Sequence, residues 1–405
     1  MKGIEKIQVS IQFDTDEIEV GELIRKEKTI YFKYYPTFIR RGLEISPIKL
    51  KLGTETQVAN QIPFDGLFGV FSDSLPDGWG RLLLDRTLIE KGFDLSKITA
   101  LDRLAYIGSK GMGALIYKPE MHFENQFDFV FELDEIAQAT EQIINGNAID
   151  IIDELYALGG SSGGAKPKIL VGYNAATDHL ITNTNTLPTG YEPWIIKFPS
   201  SFDRLDIANI EYAYHKMAIT SGIEMSECKL FTGKSGRAYF GTKRFDRIGN
   251  KRLHLQSAAG IMHDNFRAST LDYGNIMDCA FQLENNTLAY EKILRLAAFN
   301  VFTHNRDDHS KNISFLMDEV GTWKIAPAYD LTFSNSSHGW HSTMVAGESA
   351  NPTKKHLLDL ADHFKVKNAA LIISHVQEIV AEWEVFADKA EVSGTSKKLI
   401  SKTLN

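Results

Sequence analysis

Residues 307–312 read Asp-Asp-His-Ser-Lys-Asn, and eighteen positions beyond Asn312 an Ala-Tyr-Asp triplet ends at Asp330. The donors in this set are all oxygens. One carboxylate can take the proton of an attacking hydroxyl. An amide oxygen and a second carboxylate suit Mg²⁺, which takes a few hard oxygen ligands and completes its shell with water and phosphate. Asp307 is therefore the candidate base, and Asn312 and Asp330 are the candidate Mg²⁺ ligands. His309 and Lys311 flank the base, placed to orient it or to meet a transferred phosphate. On chemistry alone Asp307 and Asp308 are equivalent. Upstream, Ile293, Leu294, Ala297, Ala298, Val301 and Phe302 predict a helix over Tyr290–Thr303 with one broad apolar face, which would deliver this loop at its C-terminal end. Such a layout is expected of a kinase-type catalytic loop.

Three upstream stretches, in order, extend this reading. Gly159-Gly160-Ser161-Ser162-Gly163-Gly164-Ala165-Lys166-Pro167-Lys168 has four glycines in six positions, which lets backbone N–H groups approach a phosphate. It is neither a Walker A loop nor GxGxxG. Lys197 lies in the apolar run Trp194-Ile195-Ile196-Lys197-Phe198. A lysine so placed needs a partner, and nucleotide phosphates with a helix glutamate would supply it. Glu211 is expected to open the next helix and to pair with Lys197. The alternative is an edge-strand lysine that snorkels. Lys243-Arg244-Phe245-Asp246-Arg247 reads as a strand running into a hinge, where backbone groups of 243–245 would meet adenine. A structural Arg–Asp pair is the competing reading.

The rest of the chain sets bounds. A hydrophobic content of 43% and a charged content of 24% are those of a folded soluble protein, and 405 residues allow two or three domains. A net charge of −8 argues against a chain that coats nucleic acid by itself. No apolar run of transmembrane length occurs, and the N-terminus alternates as a strand rather than as a signal peptide, so no membrane partner is expected. The two cysteines, Cys228 and Cys279, have no metal-ligand spacing and point to a reducing cytoplasm.

Strands are predicted at 5–12, 29–35, Ala114–Tyr117, Pro167–Gly172, His179–Thr182, Trp194–Phe198 and Ala238–Phe245. Helices are predicted from Trp79, at 135–145, 149–157, Glu211–Ser221, 354–364 and 368–387. Pro76-Asp77-Gly78 is turn chemistry, and Trp79 is expected in a core rather than at a partner. His338 and His341 lack further ligands and are read as a loop near the site, not a metal pair. Lys397, Lys398 and Lys402 suggest a solvated tail. A β-rich half followed by a helical half is how a two-lobed kinase is built.

Together these motifs resemble the HipA family of serine/threonine kinases, the toxin half of bacterial toxin–antitoxin pairs. The resemblance spans nearly the whole chain. It rests on Asp73–Arg81, Ser161–Lys168, Ile195–Pro199, Arg244–Arg247, and Asp307-x-His309-x-Lys311-Asn312 with Tyr329-Asp330. It implies an α+β, two-lobed protein-kinase-like fold with a β-rich N-lobe, an all-α C-lobe and an extra N-terminal α/β subdomain. The expected divisions are 1–120, 121–247 and 248–405. The resemblance places the base on Asp307 rather than Asp308. It implies ATP and Mg²⁺ as cofactors, with ATP contacts at Gly163, Gly164, Ala165, Lys166, Pro167, Lys168, Lys197, Lys243, Arg244, Phe245, His309, Lys311 and Tyr329. It also implies autophosphorylation at Ser161 or its neighbour Ser162. Lys166-Pro167 departs from the family, where acidic and amide residues precede the final lysine. The implied partners are a protein substrate such as an aminoacyl-tRNA synthetase and a small helix-turn-helix antitoxin, with DNA reached only through the latter. A small-molecule phosphotransferase on the same fold and a nucleotide-binding regulator without activity are the rival readings.

Overall fold

The computed structural model describes residues 3–121, 132–147, 152–160, 163–182, 186–200, 203–336 and 339–404. Ser161, Ser162 and His338 lie outside the described residues. The chain forms two compact units. The first takes Met1–Asp203, Phe231–Gln256 and Leu316–Gly321; the second takes Arg204–Leu230, Ser257–Phe315 and Thr322–Asn405.

The first unit contains two five-stranded sheets. Strands β1 (Lys6–Gln12), β2 (Glu17–Lys26), β3 (Thr29–Tyr34), β4 (Gln57–Val58) and β5 (Leu115–Lys118) lie in the order β4-β3-β2-β1-β5. Ile7, Val9 and Ile11 of β1 are fully buried, the alternation that made this segment readable as a strand. Strand β2, not anticipated, is the centre of the sheet and pairs antiparallel with both β1 and β3. Its EIEVGELIRK sequence mixes charge with apolar residues too evenly for a clear period.

The second sheet comprises β6 (Lys168–Asn174), β7 (His179–Thr182), β8 (Glu192–Lys197), β9 (Cys228–Thr232) and β10 (Ala238–Lys243), in the order β7-β6-β8-β10-β9. One face carries Ile169, Val171, Tyr173, Trp194, Ile196 and Tyr239. It packs against Trp79 and Leu83 of helix Gly78–Glu90, Ile136 and Ile143 of helix Leu133–Ile144, and Leu155 and Leu158 of helix Ile152–Gly159. Trp79 is thus a core residue, as expected. The register pairs Lys168 with Lys197 and Leu170 with Ile195, so these four share the other face.

The second unit is mainly helical. Helices Tyr273–Glu284 and Ala369–Ala381 pack on the central helix Leu288–Phe302, which buries Ile293, Leu294, Ala297 and Ala298. Helix Ile207–Thr220 buries Tyr214, whose hydroxyl donates to the Thr303 carbonyl at 2.8 Å. Four expectations need correction. Strands at Ser314–Met317 and Trp323–Ile325 interrupt the all-α C-terminal half; four buried residues are too few to show a period. Glu211 does not open its helix, which starts one turn earlier at Ile207. The 368–387 helix is two, Ala369–Ala381 and Trp383–Lys389, broken at Glu382 so that Trp383 turns inward, 2% exposed. The basic C-terminus is a helix, Gly394–Leu404, that buries Ser396 and Ile400 and leaves its lysines outside. Among the described residues no helix is long and apolar enough to cross a membrane, and Cys228 and Cys279 are free thiols.

Candidate active site

In the second unit, helix Leu288–Phe302 ends at Thr303 and hands the chain to the 304–312 loop. The two adjacent carboxylates there have opposite environments. Asp308 is buried and accepts four hydrogen bonds: from the Tyr273 hydroxyl at 3.0 Å, His341 Nδ1 at 2.9 Å, and the Ser342 and Thr343 N–H groups at 2.8 and 3.3 Å. Burial, with Asp308 beside it, pushes the Tyr273 phenol well up, so that hydroxyl stays a donor. Asn305 donates to Asn300, and Asn300 donates to Tyr273, extending the network into the helix. Asp307, by contrast, has a side chain 58% exposed, with His309 Nε2 at 3.6 Å from Oδ1. Of the two, Asp307 is the carboxylate open to solvent.

The metal-ligand candidates are tied to the same loop. A 3₁₀ turn over Ser310–Asn312 brings the Asn312 side chain back, and its Nδ2 donates to the Asp307 carbonyl at 2.8 Å. With the nitrogen held on that carbonyl, Oδ1 is the atom turned away from it, the hard donor that Mg²⁺ takes. The Tyr329 hydroxyl donates to the Lys311 carbonyl at 2.7 Å and meets Ser314 Oγ at 2.7 Å. This contact fastens the Tyr329-Asp330 segment to the Asn312 turn. Asp330 has φ +55, a left-handed backbone that costs a non-glycine residue on the order of 1 kcal/mol and that Asp tolerates better than most. Phe266 lies beneath the loop, its ring 5.2 Å from His309 and 5.2 Å from the Lys311 ammonium. An amide oxygen and a carboxylate are the hard donor types that a divalent cation takes. Glu211 is buried in this unit, 5% exposed.

In the first unit, the glycine loop and two lysines come together. Lys168 and Lys197 are direct cross-strand neighbours on β6 and β8. Lys197 lies over the Phe240 ring at 5.5 Å. Lys168 is 6% exposed and donates to the Gly163 carbonyl at 2.5 Å, so in this conformation its ammonium holds the loop from inside. Like-charged residues directly opposite on a sheet weaken the pairing by some tenths of a kcal/mol. Lys166 instead reaches Asp203 at 3.6 Å, and the Pro167 carbonyl accepts from Phe198 N–H at 2.8 Å. Gly164 takes φ +88, and a turn at Asp77–Trp79 abuts it.

In the 243–247 segment the structural Arg–Asp pair is formed. Arg244 makes a two-pronged contact with Asp246 at 2.9 and 2.8 Å, Arg247 joins from the other side at 2.5 Å, and Gly113 N–H donates at 2.7 Å. Burial alone would push the Asp246 carboxyl up. The two guanidinium groups and the amide more than offset this and hold it well below the usual carboxylate range. The Arg244 N–H is also taken, by the Pro193 carbonyl at 2.9 Å, and Lys243 pairs with Glu192. The Arg244 side chain is therefore committed to Asp246, and Arg247 holds the Gly111–Gly113 loop by donating to the Gly113 and Gly111 carbonyls at 2.9 and 3.2 Å. His341, read from sequence as part of a loop near the site, is the buried partner of Asp308, thirty-three positions away. Among the described residues no group of three or more His, Cys, Asp or Glu forms a metal cluster.

Comparison with known proteins agrees with this architecture. The profile of the HipA N-terminal domain matches residues 12–118, and that of the HipA-like C-terminal domain matches 160–383, more than half of the chain. The HipA chain of a Shewanella oneidensis MR-1 complex of HipA, HipB and operator DNA superposes with TM-score 0.66. It has 18% identity and covers 98% of this chain and 94% of that one. A curated relative from Sinorhizobium fredii, "Putative kinase Y4dM", is 26% identical over 151 residues; the match spans 34% of this chain and about a third, 36%, of the relative.

Proposed function

The chain belongs to the HipA family and has its protein-kinase-like fold, and from that premise we propose that it is an ATP- and Mg²⁺-dependent serine/threonine protein kinase. The carrying observation is the split between neighbouring carboxylates. Asp308 is buried under four hydrogen bonds, while Asp307 stands 58% exposed beside an Asn312 whose amide oxygen is turned outward. In this reading Asp307 orients the acceptor hydroxyl and accepts its proton. His309 steadies Asp307, and Lys311 meets the transferred phosphoryl group. Asn312 and Asp330 hold Mg²⁺, which neutralises phosphate charge. Gly163–Lys168 and Lys197 bind the nucleotide phosphates, and backbone groups of Lys243–Phe245 other than the Arg244 N–H, which the Pro193 carbonyl takes, face adenine. Little covalent chemistry is asked of the protein, and the rate comes from positioning and charge.

The finer assignments follow the family. The protein substrate is an aminoacyl-tRNA synthetase. The regulatory partner is a small helix-turn-helix antitoxin, in line with the HipB that accompanies the Shewanella HipA. Self-modification falls on Ser161 or Ser162, where a phosphate adds nearly two negative charges to a phosphate-binding loop and so opposes nucleotide. The working divisions are an N-terminal part to about residue 120, a nucleotide-binding part to about 247 and a catalytic part beyond.

The test is incubation of the purified chain with γ-labelled ATP and Mg²⁺, followed by mass-spectrometric mapping of the label. Label on a protein serine or threonine, lost in Asp307→Asn, is the expected result. Normal incorporation by Asp307→Asn rejects the assignment, and label passing only to sugars or antibiotics favours the small-molecule rival.

A further inference from the structure

The Asp77-Gly78-Trp79 turn and the glycine loop are eighty-seven residues apart in sequence, measured from Asp77 to Gly164, yet they meet as backbone against backbone in the first unit. The Asp77 carboxylate accepts the Gly164 N–H. The Gly164 carbonyl in turn accepts the Trp79 N–H at 3.0 Å. Gly78 has φ +44, and a Cβ there would stand 2.6 Å from both the Ala165 Cα and the Gly164 carbonyl oxygen. One residue further, the Trp79 indole N–H donates to the Lys168 carbonyl at 3.1 Å, and the ring is 2% exposed in the core. The loop is thus held on one side by a turn anchored through the buried Trp79, and from within by the Lys168 ammonium on the Gly163 carbonyl. A glycine-rich stretch has many conformations to lose, and binding phosphate with backbone N–H groups requires that the loss be met before the ligand arrives.

We propose that Asp77–Trp79 is a latch that presets the phosphate loop, with Asp77 the positioning residue that acts on nucleotide through Gly164. The proposal rests on the nucleotide-binding reading given above, deepens it, and assigns a role in the site to a turn of the N-terminal part. Each residue has a separate task. Asp77 fixes the Gly164 N–H. Gly78 lets the two backbones touch where a side chain would part them. Trp79 fastens the turn to the β6 strand on which Lys168 sits.

The experiment uses the full chain as wild type, Asp77→Ala and Asp77→Asn. The asparagine keeps an oxygen that accepts the Gly164 N–H and drops the charge. Amide hydrogen exchange without nucleotide is read on the peptide spanning 163–168, with the β6 strand as internal reference. Loop exchange about tenfold faster in Asp77→Ala, from the loss of one charge-assisted hydrogen bond, and intermediate in Asp77→Asn, which keeps the acceptor without the charge, is expected. In the transfer assay, KM for ATP rises about tenfold in Asp77→Ala with kcat within twofold, the mark of lost ground-state binding. Unchanged loop exchange in Asp77→Ala overturns the latch whether or not the chain is a kinase. Equal acceleration in loop and β6 shows general destabilisation and also overturns it. An unchanged or lowered KM overturns the link to nucleotide, the latter by making Asp77 a competitor for the phosphate. A wild-type chain that transfers no phosphate defeats the kinase reading alone, since the exchange comparison still decides the latch.

Discussion

Asp308 is buried among four donors and the Asp307 side chain is 58% exposed, although nothing in the dipeptide itself separates them. Two different failures should follow. Asp307→Asn is expected to lower phosphoryl transfer by about 10²–10⁴ with an unchanged unfolding midpoint. Asp308→Ala leaves Tyr273, His341 and two N–H groups facing an empty position in the interior, a cost of about 3–5 kcal/mol in urea unfolding. If Asp308→Ala unfolds at the wild-type midpoint, its structural role is wrong. The distinction was not legible in sequence because His341 and Ser342 return from more than thirty residues downstream, beyond any local period. A second residue-scale effect is acid sensitivity at His254. Its ring is fully buried and makes a 2.8 Å contact with the Ile45 carbonyl. Burial lowers its pKa from 6.5 to about 4, partly opposed by that contact. The neutral form is favoured when folded, and the unfolded chain takes up the proton first. The stability is therefore complete above pH 6.5 and is lost as pH falls toward 4, by about 3 kcal/mol. His254→Gln should flatten that part of the urea-midpoint profile, and an unchanged slope counts against it.

Strands β6 and β8 were legible because each is short, apolar and bounded by turn residues, and the lysine in β8 stood out against its neighbours. Their register was not legible, and the register is what sets Lys168 directly across from Lys197. Like charges facing each other on one sheet weaken the pairing. Lys197→Met should therefore leave the thermal midpoint unchanged or slightly higher while raising KM for ATP by at least about tenfold. ATP with Mg²⁺ should raise the wild-type midpoint by mass action and fail to do so in Lys197→Met. A full nucleotide-induced shift in the variant would remove Lys197 from the site. The hinge stretch shows the limit of local reading in the same sheet. Arg244-Phe245-Asp246-Arg247 looked equally suited to adenine or to an ion pair, and Gly113, far upstream, decides for the side chains by donating to Asp246.

At the level of the whole molecule, charge and connectivity matter most. With a net charge of −8 and a pI near 5.9, the chain should not bind duplex DNA alone at physiological salt. Fluorescence anisotropy with labelled operator DNA should stay flat for the chain by itself and rise when a helix-turn-helix partner is added; salt-sensitive binding by the chain alone would contradict this. The broad division into a β-rich part and a helical part was readable from the change of hydrophobic period near residue 250. The threading of the units was not, because no composition shift marks it. The first unit takes its last strip, Leu316–Gly321, from deep within the segment that otherwise builds the second. Synthesis must therefore pass residue 321 before that unit owns all its pieces. Until then the emerging polypeptide carries an incomplete first unit, and any truncation before residue 321 yields a product for chaperones and proteases rather than a smaller folded protein.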